Sequence, residues 1–129
     1  MNLFQFGDFV LSSGQRSAFK VDCDALTGLD LDAIAKMILE VVPGDSFSTV
    51  ETVPSKSPTL AKLKTLLVPY ANGRSASVLI VDDVLTTGKS MEWQRDGRLT
   101  AFGVVIFARS EPPSWVRCLF RMNERLTWK

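Results

Sequence analysis

Two apolar runs, Val78-Leu79-Ile80-Val81 and Ala101 to Ala108, constrain the fold more than any other feature of the chain. A strand with one wet face alternates apolar and polar residues. A strand without that alternation needs cover on both faces. Helical patterns stand between the strand patterns, so the chain reads as α/β with a mostly parallel sheet. Its 129 residues fit one domain, 1–129. A domain of that size buries roughly two-thirds of its unfolded surface, enough for a real core.

The remaining elements follow from local signals. Phe4, Phe6, Phe9 and Leu11 give the opening β character, Ser12-Ser13-Gly14-Gln15 is a turn, and Ala18 to Asp22 reads as a returning strand. Residues 3–22 therefore form an N-terminal β-hairpin. Thr27-Gly28-Leu29-Asp30 resembles a capping box with Asp in place of Glu. Behind it Leu31, Ile34, Ala35, Ile38 and Leu39 recur at helical spacing, up to Pro43-Gly44. Phe47 to Val53 alternates as a strand ending at Pro54. Ser57-Pro58 supplies an N-cap and a first-turn proline for a helix carrying Leu60, Leu63, Leu66 and Leu67, closed by Asn72-Gly73. Gly88 to Arg98 reads as a helix, and Pro112-Pro113 stops the last apolar strand. Ser114 to Lys129 fits a last strand or a short helix over the sheet.

Composition removes whole classes of function. The chain has no histidine, which excludes histidine triads, histidine-bearing zinc sites and imidazole acid/base catalysis. Cys23 and Cys118 form no CxxC and no metal-ligand spacing, so a reducing cytoplasm is expected. A net charge of +1 argues against a nucleic-acid partner. No window approaches the ~20 apolar residues of a membrane span, and the first residues show no signal-peptide pattern. Charge is uneven, however. Residues 1–65 hold 6 basic and 8 acidic residues, and residues 66–129 hold 9 and 6. The second half is either a solvated surface or a mildly positive side that attracts phosphorylated ligands.

Val78 to Ser90 carries the chemistry. A buried strand runs into two adjacent acids, Asp82 and Asp83, and then into the small-residue turn Thr86-Thr87-Gly88-Lys89-Ser90, which opens a helix. Ligands of open α/β sheets bind outside the carboxyl ends of the strands. The turn can aim backbone amides and hydroxyls at one point, as a phosphate requires. The carboxylates can accept hydrogen bonds from the vicinal hydroxyls of a sugar. Together they describe a ribose 5-phosphate cradle. A Walker A loop is excluded, because Asp83 stands where that motif needs its first glycine. A Walker B strand would lack its Walker A partner.

Val78–Ser90 resembles the binding motif for 5-phosphoribosyl 1-diphosphate (PRPP) of type I phosphoribosyltransferases. Phe6-Gly7-Asp8-Phe9-Val10-Leu11, followed by Ser13-Gly14-Gln15-Arg16-Ser17, is similar to the opening of their orotate-type members, including short bacterial and phage proteins. The resemblance implies a type I phosphoribosyltransferase-like fold: a mostly parallel sheet flanked by helices, with the N-terminal hairpin beside it. It implies that Asp82 and Asp83 hold the ribose and that Thr86, Thr87, Gly88, Lys89 and Ser90 hold the 5′-phosphate. Pro54, Ser55, Lys56 and Ser57 correspond to the pyrophosphate loop, where Lys56 would meet the leaving group as a catalytic residue. Arg16, Phe19, Lys20 and Arg109 are candidates for reading the base.

The chain also departs from the family. Ser12 stands where orotate enzymes carry lysine, and Lys20 and Val21 stand where they carry aromatics. The pyrophosphate loop lacks the glycines that let a backbone approach an anion. Only 23 residues separate Pro54 from Val78, which leaves no room for a long catalytic-loop insertion. Two readings result. One is a phosphoribosyltransferase that moves ribose 5-phosphate from PRPP to a nucleobase or base-like acceptor, with Mg²⁺ held mainly through PRPP. The other is a non-catalytic PRPP- or nucleotide-binding or sensing module. Trp93, Trp115 and Trp128 would mark the surface of a homodimer, or fill the core, or lie singly on the surface.

Overall fold

The computed structural model describes residues 2–11, 14, 16–42, 46–73 and 76–122. Strands β1 (Phe4–Val10) and β2 (Arg16–Val21) form an antiparallel hairpin. Helix α1 (Gly28–Val41) follows, then β3 (Thr49–Thr52), α2 (Pro58–Leu67), β4 (Val78–Leu85), α3 (Lys89–Arg95), β5 (Ala101–Ala108) and β6 (Val116–Arg121). The last four strands make one parallel sheet in the order β3-β4-β5-β6. The α/β class, the hairpin and the parallel sheet are as the sequence implies. Among the described residues, α2 and a 3-10 turn at Val68–Tyr70 are the regular structure between β3 and β4, so no long insertion stands there. No helix among them is long and apolar enough to cross a membrane.

The lack of alternation in β4 and β5 is explained by cover on both faces. Leu79 and Val81 of β4, with Val104 and Ile106 of β5, pack against Leu31, Ile34 and Ile38 of α1 and Leu60, Leu63 and Leu67 of α2. Val78 and Ile80, with Ala101 and Val105, face the other way onto Met91 of α3, Val116 and Trp115. The strands advance in one direction across the sheet while α2 and α3 lie on opposite faces. One of these two crossovers must then be left-handed, against the usual preference of a right-twisted sheet.

Local signals set the helix starts. The capping box forms with both arms: the Asp30 amide donates to Thr27 Oγ1 at 3.2 Å, and the Thr27 amide to Asp30 Oδ2 at 2.8 Å. Ser57 caps α2, accepting from the Thr59 amide at 3.2 Å, with Pro58 in the first turn.

Several boundaries need correction. Helix α3 stops at Arg95, not Arg98, because Asp96 (φ 52°) and Gly97 (φ 72°) both turn left-handed. Helix α2 stops at Leu67, short of Asn72; Pro69 has no amide to continue it, and the 3-10 turn takes over. Within Phe47–Val53 only Thr49–Thr52 is strand, and β2 begins at Arg16 rather than Ala18. Within Ser114–Lys129, Val116–Arg121 forms strand β6, and residues 123–129 lie outside the described residues. Trp93 is exposed, whereas Trp115 is half-buried, with its indole N–H on Glu92 Oε1 at 2.6 Å and Arg95 over its ring. Trp128 lies outside the described residues.

Candidate ribose-phosphate site

Strand β4 delivers both acids to the carboxyl end of the sheet. The alternation of faces that holds from Val78 to Val81 is interrupted here, since Val84 packs on the same face as Val81, and the Asp82 and Asp83 carboxyls lie within hydrogen-bonding reach of each other. Asp82 is buried and Asp83 half-buried. The Asp83 amide donates to Asp82 Oδ1 at 2.8 Å, and the Val84 amide to Asp83 Oδ1 at 2.7 Å. Burial, reinforced by the neighbouring Asp83 charge, pushes the Asp82 carboxyl up to about 8.

The turn after β4 has the backbone a phosphate cradle needs. Gly88 sits at φ 85° as the N-cap of α3, a conformation that penalises any side chain. The Lys89 amide lies 3.4 Å from Thr87 Oγ1, and the Ser110 hydroxyl donates to the Thr86 carbonyl, fastening the turn to the loop after β5. A cleft of about 480 Å³ opens here. It is lined by Asp82, Asp83 and every residue from Thr86 to Ser90, together with Pro54 and Ser55 from the loop after β3. The structure thus gathers the ribose and phosphate candidates in one place.

A second cleft of about 290 Å³ shares Asp83, Val84 and Thr86 with the first and runs under the hairpin. Phe9, Val10, Leu11 and Lys20 line it from the hairpin, Ser57 from the α2 cap, and Arg109 from the end of β5. Arg109 is buried. Its guanidinium lies over the Phe19 ring, 4.1 Å from the centroid, and donates to Ser17 Oγ and, at 3.2 Å, to the Phe19 carbonyl. Arg109 therefore pins the hairpin to the sheet while bordering the cleft.

Three sequence candidates do not reach either wall. Phe19 lies half-buried against Arg109. Arg16 pairs with Asp8, both side chains being exposed. Lys56 is exposed between Ser55, which lines the larger cleft, and Ser57, which lines the smaller.

Sequence reasoning passed over Asp22, Cys23 and Asp24, which complete the second cleft. Asp22 caps the 3-10 turn Cys23–Ala25, accepting from the Asp24 amide at 3.1 Å. Burial, helped by the surrounding carboxylates of Asp83, Asp22, Asp24 and Asp82, pushes the Cys23 thiol far up, so it stays protonated and unreactive. Asp24 accepts from the hydroxyls of Ser57 and, at 2.9 Å, Thr59; these bonds hold its carboxyl below the usual range. The visible signal was the pair of acids directly after β2, but their partners lie more than 30 residues further along the chain. Among the described residues, no group of three His, Cys, Asp or Glu side chains could hold a metal ion.

Comparison with known proteins bears on this geometry. No family model matches the chain. An orotate phosphoribosyltransferase of Methanopyrus kandleri is 41% identical over 106 residues, which cover 67% of this chain and 58% of that protein. The chain thus spans less than two-thirds of the length of this curated relative. Among solved structures, the orotate phosphoribosyltransferase of Aeropyrum pernix superposes with a TM-score of 0.69 at 22% identity, covering 93% of this chain and 88% of the other. UMP synthase of Leishmania donovani gives a TM-score of 0.70 at 17% identity, covering 93% of this chain and 34% of the other. The fold is that of the type I phosphoribosyltransferases. The sequence likeness, over part of both chains, is to an orotate phosphoribosyltransferase.

Proposed function

We propose that this chain is a phosphoribosyltransferase that moves ribose 5-phosphate from PRPP to a nucleobase or base-like acceptor, in the cytoplasm. The observation that carries the reading is the cleft at the end of β4, where two carboxylates and the Thr86–Ser90 turn line one wall. Asp82 and Asp83 would accept hydrogen bonds from the ribose diol. The amides and hydroxyls of Thr86 to Ser90, with Lys89, would hold the 5′-phosphate. The acceptor would enter by the second cleft, beside Lys20 and Arg109. Ser55, which lines the larger cleft, would meet the departing diphosphate, and the exposed Lys56 beside it would have to turn inward to do so.

Breaking the ribose C1–O bond builds positive charge on the sugar and negative charge on the leaving group. The chain's task is to orient the two ends and stabilise both charges. Asp83, half-buried between the clefts, is a hard oxygen donor of the kind Mg²⁺ accepts. With no three-residue ligand set among the described residues, the ion would be held largely by phosphate oxygens. Bound there, Mg²⁺ would neutralise charge on the diphosphate.

A second reading, a PRPP- or nucleotide-binding module without catalysis, is favoured by one observation. The interval between β3 and β4 carries α2 and a single turn, with no long loop to close over the reaction. The test is calorimetric titration of PRPP, with and without Mg²⁺, into the wild type and the Asp82→Asn/Asp83→Asn double variant. Bases are then screened for diphosphate release. Binding lost in the variant, with base-dependent release, is expected. Binding without release under any base supports the module. Equal binding by wild type and variant refutes the cradle.

A further inference from the structure

We propose that Ser110, which lies outside the cleft, is a positioning residue for the 5′-phosphate: its hydroxyl, bound to the Thr86 carbonyl, aims the Thr87 amide at the phosphate. The inference rests on reading Val78–Ser90 as a ribose 5-phosphate cradle.

Leu85 and Thr86, at the end of β4, both give their carbonyls to the stretch after β5. The Arg109 amide donates to the Leu85 carbonyl at 2.8 Å, and the hydroxyl of the half-buried Ser110 to the Thr86 carbonyl. Thr86 and Thr87 line the larger cleft and Ser110 does not, so Ser110 grips the turn from behind. A carbonyl oxygen is an acceptor and repels a phosphate; on Ser110 it is kept off the anion. The peptide between Thr86 and Thr87 is trans. In a planar trans peptide the C=O and N–H point in opposite directions, so the Thr87 N–H points away from Ser110. Among the described residues, no hydrogen bond takes that N–H. The same stretch backs the turn at a second point. A Cβ on Gly88 would lie 3.4 Å from Pro113 Cγ and 3.5 Å from Pro113 Cδ. Pro113 is tied to β6 in turn, its carbonyl accepting the Val116 amide at 2.9 Å. A turn fixed in this way before the ligand arrives loses little freedom on binding it.

The test titrates ribose 5-phosphate calorimetrically into the wild type, Ser110→Ala and Ser110→Thr, and follows the Thr87 amide proton of each by NMR. Thermal melts check that both variants fold. Losing the aim of one hydrogen bond to a charged phosphate is expected to weaken binding about ten-fold in Ser110→Ala. Threonine keeps the hydroxyl and should bind within about two-fold of the wild type. On adding ligand, the Thr87 proton should move downfield in the wild type and Ser110→Thr, and stay near its free position in Ser110→Ala. A serine that only supports the fold would lower the melting temperature and leave this shift as in the wild type. Equal affinity of Ser110→Ala and the wild type, equal loss in both variants, or a Thr87 proton that shifts alike in all three overturns the role of Ser110 alone. Ribose 5-phosphate binding to none of the three proteins overturns the cradle and this proposal with it.

Discussion

Replacing Asp82 by Asn should stabilise the protein, and the gain should grow with pH. Burial and the adjacent Asp83 move the Asp82 carboxyl from an ordinary 3.8 to about 8 in the fold. Between about pH 5 and pH 7 the unfolded chain has released this proton and the folded chain keeps it. Stability then falls as pH rises, by about 1.4 kcal/mol per pH unit, or about 2.7 kcal/mol over the window. Asparagine imitates the protonated acid. It keeps an oxygen for the Asp83 amide, which lies at 2.8 Å, and offers an N–H to the Asp83 carboxylate. Having no proton to lose, the variant should gain about 2.7 kcal/mol on the wild type across the window, about 8–14 °C of melting temperature for a chain of this size. Other shifted groups leave the window clear. Asp24, Asp30 and Glu51 are held below their ordinary values of 3.8, 3.8 and 4.5, so their contributions are present above those values and lost only at lower pH. The Cys23 thiol, raised from 9.0, matters only as pH climbs past that value. Paired urea denaturation of wild type and variant at pH 5, 6 and 7 is the assay. Parallel stability profiles would refute the account of Asp82 as a buried acid kept protonated by its surroundings.

Three further outcomes test the packing around the site. Gly103→Ala should cost about 1–3 kcal/mol in urea denaturation. Its Cβ would lie 2.8 Å from Met91 Cε, Trp115 Cζ3 and Val116 Cγ2, and only the methionine tip yields easily. Glu51→Gln breaks the two-pronged Arg98 contact, both arms at 2.8 Å, and weakens the Gln94 bond. It should cost about 0.5–1 kcal/mol at neutral pH, a modest figure because the pair is partly exposed. This difference should vanish in acid melts as pH falls from 4.5 toward about 2, where the wild-type carboxylate protonates. Arg109→Met removes the donor to Ser17 and Phe19, and should cost about 2 kcal/mol. Amide exchange in β2 should quicken while β4 and β5 stay protected; equal protection throughout would show that Arg109 does not hold the hairpin.

The parts of this protein legible from sequence are those whose causes are local. The unbroken apolar runs revealed two covered strands, Thr27 with Asp30 revealed a helix start, and Asp82 to Ser90 pointed to residues that line one cleft because strand, acids and turn are contiguous. What was missed depends on long-range meetings. Nothing in Asp22-Cys23-Asp24 announces that Ser57 will reach back across 33 residues. Nothing in Arg109 announces that it will lie buried over Phe19, 90 residues earlier. The premature end of α3 was a different failure: Asp96 adopts a left-handed conformation usual for glycine, and periodicity does not register it.

The two clefts join the two classes of residue. Under the proposed function Asp82 and Asp83, whose carboxyls lie within hydrogen-bonding reach of each other, would divide the work at the end of β4. Asp82 turns into the phosphate-side cleft alone, whereas Asp83 borders both clefts. A sugar seated there as proposed would reach from one cleft toward the other, with its phosphate at the Thr86–Ser90 turn. The chemistry at C1 would then fall to residues the motif does not contain, among those lining the second cleft: Lys20 of the hairpin, Asp24 of the turn and Ser57 of the cap. On the proposed reading the motif would select the sugar phosphate, and the surrounding loops would select what is attached to it.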